Sequence, residues 1–228
     1  MAGPTKPTVS RSDPSYPGQA AYTAVGLAVY DALVYRFNLP VLWRCSKRDL
    51  IDLYDRWVSG SHLDIGVATG ALLDGCSFPD AHPRLTLMDL NPEPLASAAR
   101  RLRRYAPKTH QANVLTPWGL PSASFESVAM MNLLHCVPGP IGEKAVAFDH
   151  ASSALAPGGT LFGATILGQG VTHTRSSAWV MKRLNRTGVF SNIEDSLDDL
   201  HTALSERFLE HEVDVRGSVA LFVARTAR

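Results

Sequence analysis

HLDIGVATG, residues 62–70, opens like a buried strand and breaks into a run of small residues. Asp64 stands two places before the first glycine, and Gly66, Ala68 and Gly70 follow at alternate positions, giving D-x-G-x-A-x-G. Small residues where a strand gives way to a helix let the backbone approach a ligand closely. The dinucleotide fingerprint G-x-G-x-x-G has no acid inside its strand. A diphosphate would be repelled by Asp64, whereas a ligand with a cationic group would be attracted.

Upstream of this turn, residues 20–38 carry helical periodicity, with Val25, Ala28, Val29, Leu33 and Phe37 on one side, and Pro40 predicts its end. Ser46 is placed to cap a second helix, SKRDLIDLYDRWV, with Asp49 at the capping-box offset and Gly60 as a stop. Residues 1–19 hold four prolines among Ser, Thr and Gly; they read as a disordered tail without a secretory pattern.

Downstream, strand and helix alternate. RLTLMDL (84–90), HQANVL (110–115), SVAMMNLL (127–134) and TLFGATIL (160–167) read as strands two to five. PEPLASAARRLRRY opens with proline and acid and ends in arginines, as the helix dipole prefers. EKAVAFDHASSALA is a helix closed by Pro157, Gly158 and Gly159. A further helical segment surrounds WVMKRLNRTG. Asn192 is placed to cap the next helix, where Leu197, Leu200, Leu204 and Phe208 line one face. EVDVRG and SVALFVAR form a tight closing hairpin around Gly217. The pattern predicts an α/β fold: a doubly wound, mostly parallel seven-stranded sheet with a terminal antiparallel hairpin and helices on both faces. Ligands bind such sheets beyond the carboxyl ends of the strands, at the switch point after the first strand.

Bulk properties are consistent with this. The 228 residues suit one sizeable α/β domain or two small ones, with 45% hydrophobic and 19% charged residues. The net charge of +1 gives no electrostatic case for a nucleic-acid partner, and RRLRR at 100–104 reads as a solvated helix end. No stretch reaches the length of a membrane span. Cys45, Cys76 and Cys136 form no CxxC pair, so neither a zinc site nor a disulfide framework is expected, and a cytoplasmic setting fits. No histidine pair has metal-ligand spacing, so no metal is expected.

Asp89, at the end of the second strand, is placed to accept hydrogen bonds from both hydroxyls of a ribose. Asp64 and Asp89 together describe a ligand with an amine or sulfonium at one end and a nucleoside at the other, as in S-adenosylmethionine. At these residues the chain resembles the class I S-adenosylmethionine-dependent methyltransferases, over roughly residues 20–228. HLDIGVATG, LTLMDLN, ANV, SVAMMNLLH and LAPGGTLF carry the resemblance, in order and spacing. YDALVYRFNLPVLWRC is similar to the N-terminal segment of the quinone-biosynthesis methyltransferase subgroup.

The resemblance implies a Rossmann-like methyltransferase fold with an N-terminal helical lid over residues 20–60, a catalytic domain over 61–228 and a lid insertion at about 168–195. It implies that Gly66, Ala68 and Gly70 lie under the methionyl group, with Asp64 near its amine. Asp89 would hold the ribose, Leu90 would pack on adenine, Asn113 and Val114 would read it, and Asn132 would face the methionyl group. Tyr30 or Tyr35, with Trp43, would close over the sulfonium, and Arg44 would meet a substrate carboxylate. For Trp43, plain core packing is an equal alternative. Trp179, Phe190 and Asn192 are candidates for an acceptor-pocket wall, or for packing. His135 is the candidate general base, or a histidine hydrogen-bonded at a strand end. Two departures stand out: Ala68 replaces the usual middle glycine, and Asn113 replaces an aspartate.

The implied function is methyl transfer from S-adenosylmethionine, leaving S-adenosylhomocysteine, to O, N, S or C of a small aromatic or heterocyclic acceptor of secondary metabolism. The implied state is monomer or homodimer. Residues 132–135 read Asn-Leu-Leu-His, without the prolines and aromatic of nucleic-acid amino-methyltransferases. Asp149 falls too far inside its helix to serve metal-dependent catechol methylation. Rival readings are a cyclisation or rearrangement on the same fold with bound cofactor, a non-catalytic binding module and, last, a nicotinamide-dependent dehydrogenase.

Overall fold

The computed structural model describes residue 31 and residues 34–226. The expected tail, and Val25, Ala28, Val29, Tyr30 and Leu33, lie outside the described residues. Seven strands form one sheet: β1 (Ser61–Ile65), β2 (Arg84–Asp89), β3 (Lys108–Gln111), β4 (Phe125–Met131), β5 (Leu155–Ile166), β6 (Glu210–Arg216) and β7 (Val219–Arg225). Their order is β3-β2-β1-β4-β5-β7-β6. β7 runs antiparallel to both its neighbours, and the other pairings are parallel. The chain works outward from β1 to β3, then returns to β4 on the other side of β1. That reversal opens a crevice at the carboxyl ends of β1 and β4.

The helices are α1 (Lys47–Trp57), α2 (Ala71–Gly75), α3 (Pro92–Arg101), α4 (Ile141–Lys144), α5 (Val146–Ala154), α6 (Arg175–Arg186) and α7 (Leu197–Ser205). Period-two alternation divides the strands between two cores. Leu85, Leu87, Ala129, Met131 and Phe162 face α1, α3 and α6, where Leu50, Leu53, Ala98 and Met181 meet them. Leu63, Ile65, Val128, Met130 and Phe222 face α5 and α7, through Phe148, Ala151, Leu200 and Leu204. Each fully buried Leu or Phe stabilises the fold by roughly 1.5–3 kcal/mol relative to an exposed one. The Ser46–Asp49 capping box forms as expected, each side chain accepting from the other residue's backbone amide.

Several expectations are corrected. Val34–Leu42 is a π-helical segment that contains Pro40 instead of ending at it. Proline lacks only its own donor, and the wider winding continues past it. Tyr35, Leu39 and Trp43 are buried at every fourth residue, while Phe37, grouped by periodicity with Leu33 on one side, is 54% exposed. The third strand lies at 108–111, not 110–115, because the Asn113 side chain accepts the Leu115 amide at 2.9 Å and turns the chain there. The fourth strand ends at Met131 because Asn132 adopts φ 55°. Pro157, Gly158 and Gly159 lie inside β5. The helix after α6 is capped by Ser196 with Asp199, not by Asn192.

Candidate active site

The turn from β1 into α2 is built from residues with positive φ: Gly66 at 75°, Ala68 at 45° and Gly70 at 73°. A Cβ on Gly66 would stand 2.9 Å from Leu133 Cδ1, and one on Gly70 would stand 3.1 Å from Ala98 Cβ. Both positions therefore need glycine for conformation and for space. Ala68 carries the left-handed strain that a glycine would not.

A cavity opens above this turn, lined by Asp64, Gly66, Ala68, Asn132, Tyr35 and Tyr54 among others. Asp64 is buried at the end of β1. The Tyr54 hydroxyl donates to its Oδ2, and His62 Nε2 stands 3.5 Å from the same oxygen. Burial and the adjoining carboxylate hold the Tyr54 phenol well above its ordinary range, so it keeps its proton. His62 is anchored in turn by Ser127 Oγ, 2.8 Å from Nδ1.

Asp89 ends β2, half-buried, with Oδ1 accepting the Asn91 amide at 2.9 Å. Desolvation pushes its carboxyl up to about 7, and the charge of Asp64 acts in the same direction. Amides of Asn91, Leu90 and Val67 oppose that rise. Asn132 donates its backbone amide to Ala164 at 2.8 Å, and its buried Oδ1 has no hydrogen-bond partner among the described residues. A buried acceptor left open costs stability unless a ligand completes it. Two carboxylates, an open amide oxygen and a turn without bulky side chains fit a ligand rich in donors and carrying positive charge. No cluster of three metal-ligating side chains occurs among the described residues.

The other expected site residues divide. Leu90 is half-buried, and its carbonyl accepts Gln111 Nε2 at 2.9 Å. Val114 is buried in the core, its carbonyl accepting Trp118 Nε1 at 3.1 Å. Tyr35 and Trp43 are both buried. Phe190 lies with its ring centroid 5.9 Å from Trp43 and 4.5 Å from His135, so these three residues converge.

Three substrate candidates do not line the cavity above the glycine turn. Asn192 is fully buried: Nδ2 donates to the Ile166 carbonyl at 2.8 Å and Oδ1 accepts Asn185 Nδ2 at 2.9 Å. Both amide ends thus serve the protein. Arg44 is exposed, at φ 58°, with its backbone packed against the β6–β7 turn at Gly217. Trp179 is 66% exposed on α6.

His135 is buried in the 3₁₀ turn after β4. Its Nδ1 accepts the Ile166 amide at 3.3 Å, which leaves the proton on Nε2. Burial, and secondarily the Lys144 cation, push its pKa down to about 3. The ring is a neutral hydrogen-bond donor and a poor proton acceptor.

Two features escaped the sequence reading. His62 and Asp64 share a strand face at i, i+2 spacing, which was a legible signal; Tyr54 on α1 was not. Lys144 on α4 and Asp195, both 1% exposed in their side chains, pair at 2.6 Å, and Lys144 Nζ also donates to the Ser191 carbonyl at 2.5 Å. Desolvation lowers the Lys144 pKa, and the Asp195 charge opposes it. This pair ties the loop carrying Phe190 to α4.

A family model described as a methyltransferase domain matches residues 63–161. Demethylluteothin O-methyltransferase of Streptomyces thioluteus is 44% identical over 209 residues, covering 92% of this chain and 91% of its own. This chain belongs to the class I S-adenosylmethionine-dependent methyltransferases. The physcion biosynthesis cluster O-methyltransferase of Aspergillus chevalieri is 36% identical, over 92% of this chain and 96% of its own. In fold, the methyltransferase is similar to N-methyltransferase NodS of Bradyrhizobium japonicum in complex with S-adenosyl-L-homocysteine. The two share a TM-score of 0.61 at 18% identity, over 93% of this chain and 99% of that one. The methyltransferase acts on a small molecule and uses S-adenosylmethionine, which supplies, when bound, a methyl group activated by a positively charged sulfur.

Proposed function

We propose that this methyltransferase O-methylates an acidic ring hydroxyl of a secondary metabolite, and that the acceptor enters as its own anion. The observation that carries this reading is the state of His135. Its Nδ1 lone pair is engaged by the Ile166 amide, and burial beside Lys144 disfavours a second proton. A residue in that state donates a hydrogen bond to an anionic oxygen but does not deprotonate an ordinary alcohol. Two O-methyltransferase relatives named for luteothin and physcion biosynthesis support an oxygen acceptor.

In this reading Gly66, Ala68 and Gly70 pass beneath the methionyl group, Asp64 takes its amine and Asn132 Oδ1 a further donor. Asp89 accepts the ribose hydroxyls, and Leu90 and Val114 flank the adenine. Asn113, with Oδ1 already on the Leu115 amide, offers only its second lone pair to the adenine amine. Trp43, Tyr35 and Phe190 wall the acceptor side, and residues 34–60 and 168–195 cover the site. These groups orient both partners and exclude water, which can supply several kcal/mol of barrier lowering. The three free cysteines fit a cytoplasmic enzyme.

The test uses ring hydroxyls of graded acidity, with S-adenosylhomocysteine and methylated product measured together. The pH profile of kcat/KM should follow each acceptor's own ionisation, and His135→Phe should chiefly raise KM. A profile with one constant midpoint for every acceptor, lost in His135→Phe, would restore His135 as a base. Product without S-adenosylhomocysteine would overturn methyl transfer.

A further inference from the structure

We propose that Tyr54 and His62 are positioning residues that hold the Asp64 carboxylate in the orientation needed to grip the amino-acid end of the cofactor. The inference rests on the placing of that amine at Asp64. Both groups face the same oxygen. The Tyr54 hydroxyl donates to Oδ2, and His62 Nε2 stands 3.5 Å from it. That concentration on Oδ2 assigns Oδ1 to the ligand. Ser127 Oγ accepts the Ser59 amide at 3.0 Å and stands 2.8 Å from His62 Nδ1, which anchors the imidazole with its Nε2 edge toward Asp64.

Packing makes the arrangement stiff. The Tyr54 ring meets Phe162 edge-on at 5.2 Å, and His62 stacks on the same Phe162 at 5.8 Å. Both are fully buried or nearly so. The Tyr54 phenol, a neutral donor, thus holds the buried carboxylate with the His62 ring beside it, and the negative charge remains to attract the ligand amine. An arginine in their place would form an ion pair and neutralise it.

The experiment compares two ligands. S-adenosylhomocysteine carries the amine; 5′-methylthioadenosine has the same nucleoside and sulfur but no amino-acid group. Tyr54→Phe keeps the ring and removes the donor. It should weaken S-adenosylhomocysteine binding at least tenfold and leave 5′-methylthioadenosine within twofold; the retained nucleoside affinity also reports an intact fold. Ser127→Ala, which frees His62, should change the ratio of the two affinities in the same direction by a smaller factor. Equal weakening of both ligands, or of neither, in Tyr54→Phe overturns the proposal. Asp64→Asn separates the premise. A ratio unchanged there removes the amine from Asp64 and the positioning role with it. A ratio changed there but not in Tyr54→Phe removes the positioning role alone.

Discussion

Lowering the pH from 8 to 6 should weaken nucleoside binding by about tenfold, through Asp89 alone. In the free protein, burial pushes this carboxyl up to about 7. Only the ionised form accepts from both ribose hydroxyls. Apparent Kd then scales with one plus the ratio of protonated to ionised carboxyl, about 1.1 at pH 8 and about 11 at pH 6, a span of ~1.4 kcal/mol. The ligand for the assay is 5′-methylthioadenosine, which has no amino-acid group to titrate over this range. Calorimetry in two buffers of different ionisation enthalpy should detect release of about half a proton per ligand at pH 7. Asp89→Asn should abolish both the slope and the proton release, and should bind more weakly at pH 8. A wild type with pH-independent affinity, or an Asp89→Asn variant that keeps the slope, would refute the reasoning. The stability sign follows from the same shift. A carboxyl raised above its unfolded value of about 3.9 binds its proton more tightly when folded, so the ligand-free protein loses stability as pH rises through 7. The thermal shift given by saturating ligand should therefore be larger at pH 8 than at pH 6.

Two further outcomes are expected from the geometry. Ala68→Gly relieves a left-handed residue at φ 45° and should raise unfolding free energy by roughly 1 kcal/mol in chemical denaturation, with cofactor affinity kept; a loss of stability would contradict the strain assigned to Ala68. Lys144→Met leaves Asp195 as a buried charge with one oxygen already unpartnered among the described residues, at a cost of about 3–5 kcal/mol. That loss should shrink at pH 5: burial pushes the Asp195 carboxyl up to about 6 even with Lys144 lowering it, and without Lys144 it rises further and takes up a proton. Lys144→Met combined with Asp195→Leu should recover most of it, and equal losses in the single and double variants would argue against a buried-charge cost.

The parts of the fold legible in the sequence were those written in strong periodicity or local capping chemistry. β2 and β4 carry the apolar stretches that a central, doubly covered strand requires, β1 runs into a turn of small residues, and Ser46 with Asp49 fits one motif only. The errors fell where a local signal was weak or had a rival use. β3 is a short edge strand of polar residues, KTHQ, so no alternation marked it, and the more apolar ANVL drew the boundary forward. Pro40 reads as a helix end on an α-helical ladder; the π-helical winding around it depends on packing of Tyr35, Leu39 and Trp43 that no local rule encodes.

At the site, the sequence offered residue types, whereas chemistry depends on which polar atoms the fold leaves unspent. Asn132 and Asn192 show the difference. By residue type Asn132 is a candidate to face the cofactor, and Asn192, in the insertion after the fifth strand, a candidate for a pocket wall or for packing. Asn192 joins Ile166 and Asn185 with both ends of its amide and has nothing to offer a substrate. Asn132, twisted to φ 55° after β4, keeps a buried oxygen open beside the glycine turn. His135 repeats the lesson with a proton: its type suggested a base, but the Ile166 amide takes the lone pair a base would need. The same accounting raises Tyr54 and His62 above their neighbours, because both stand against Oδ2 of Asp64, the carboxylate proposed to take the ligand amine.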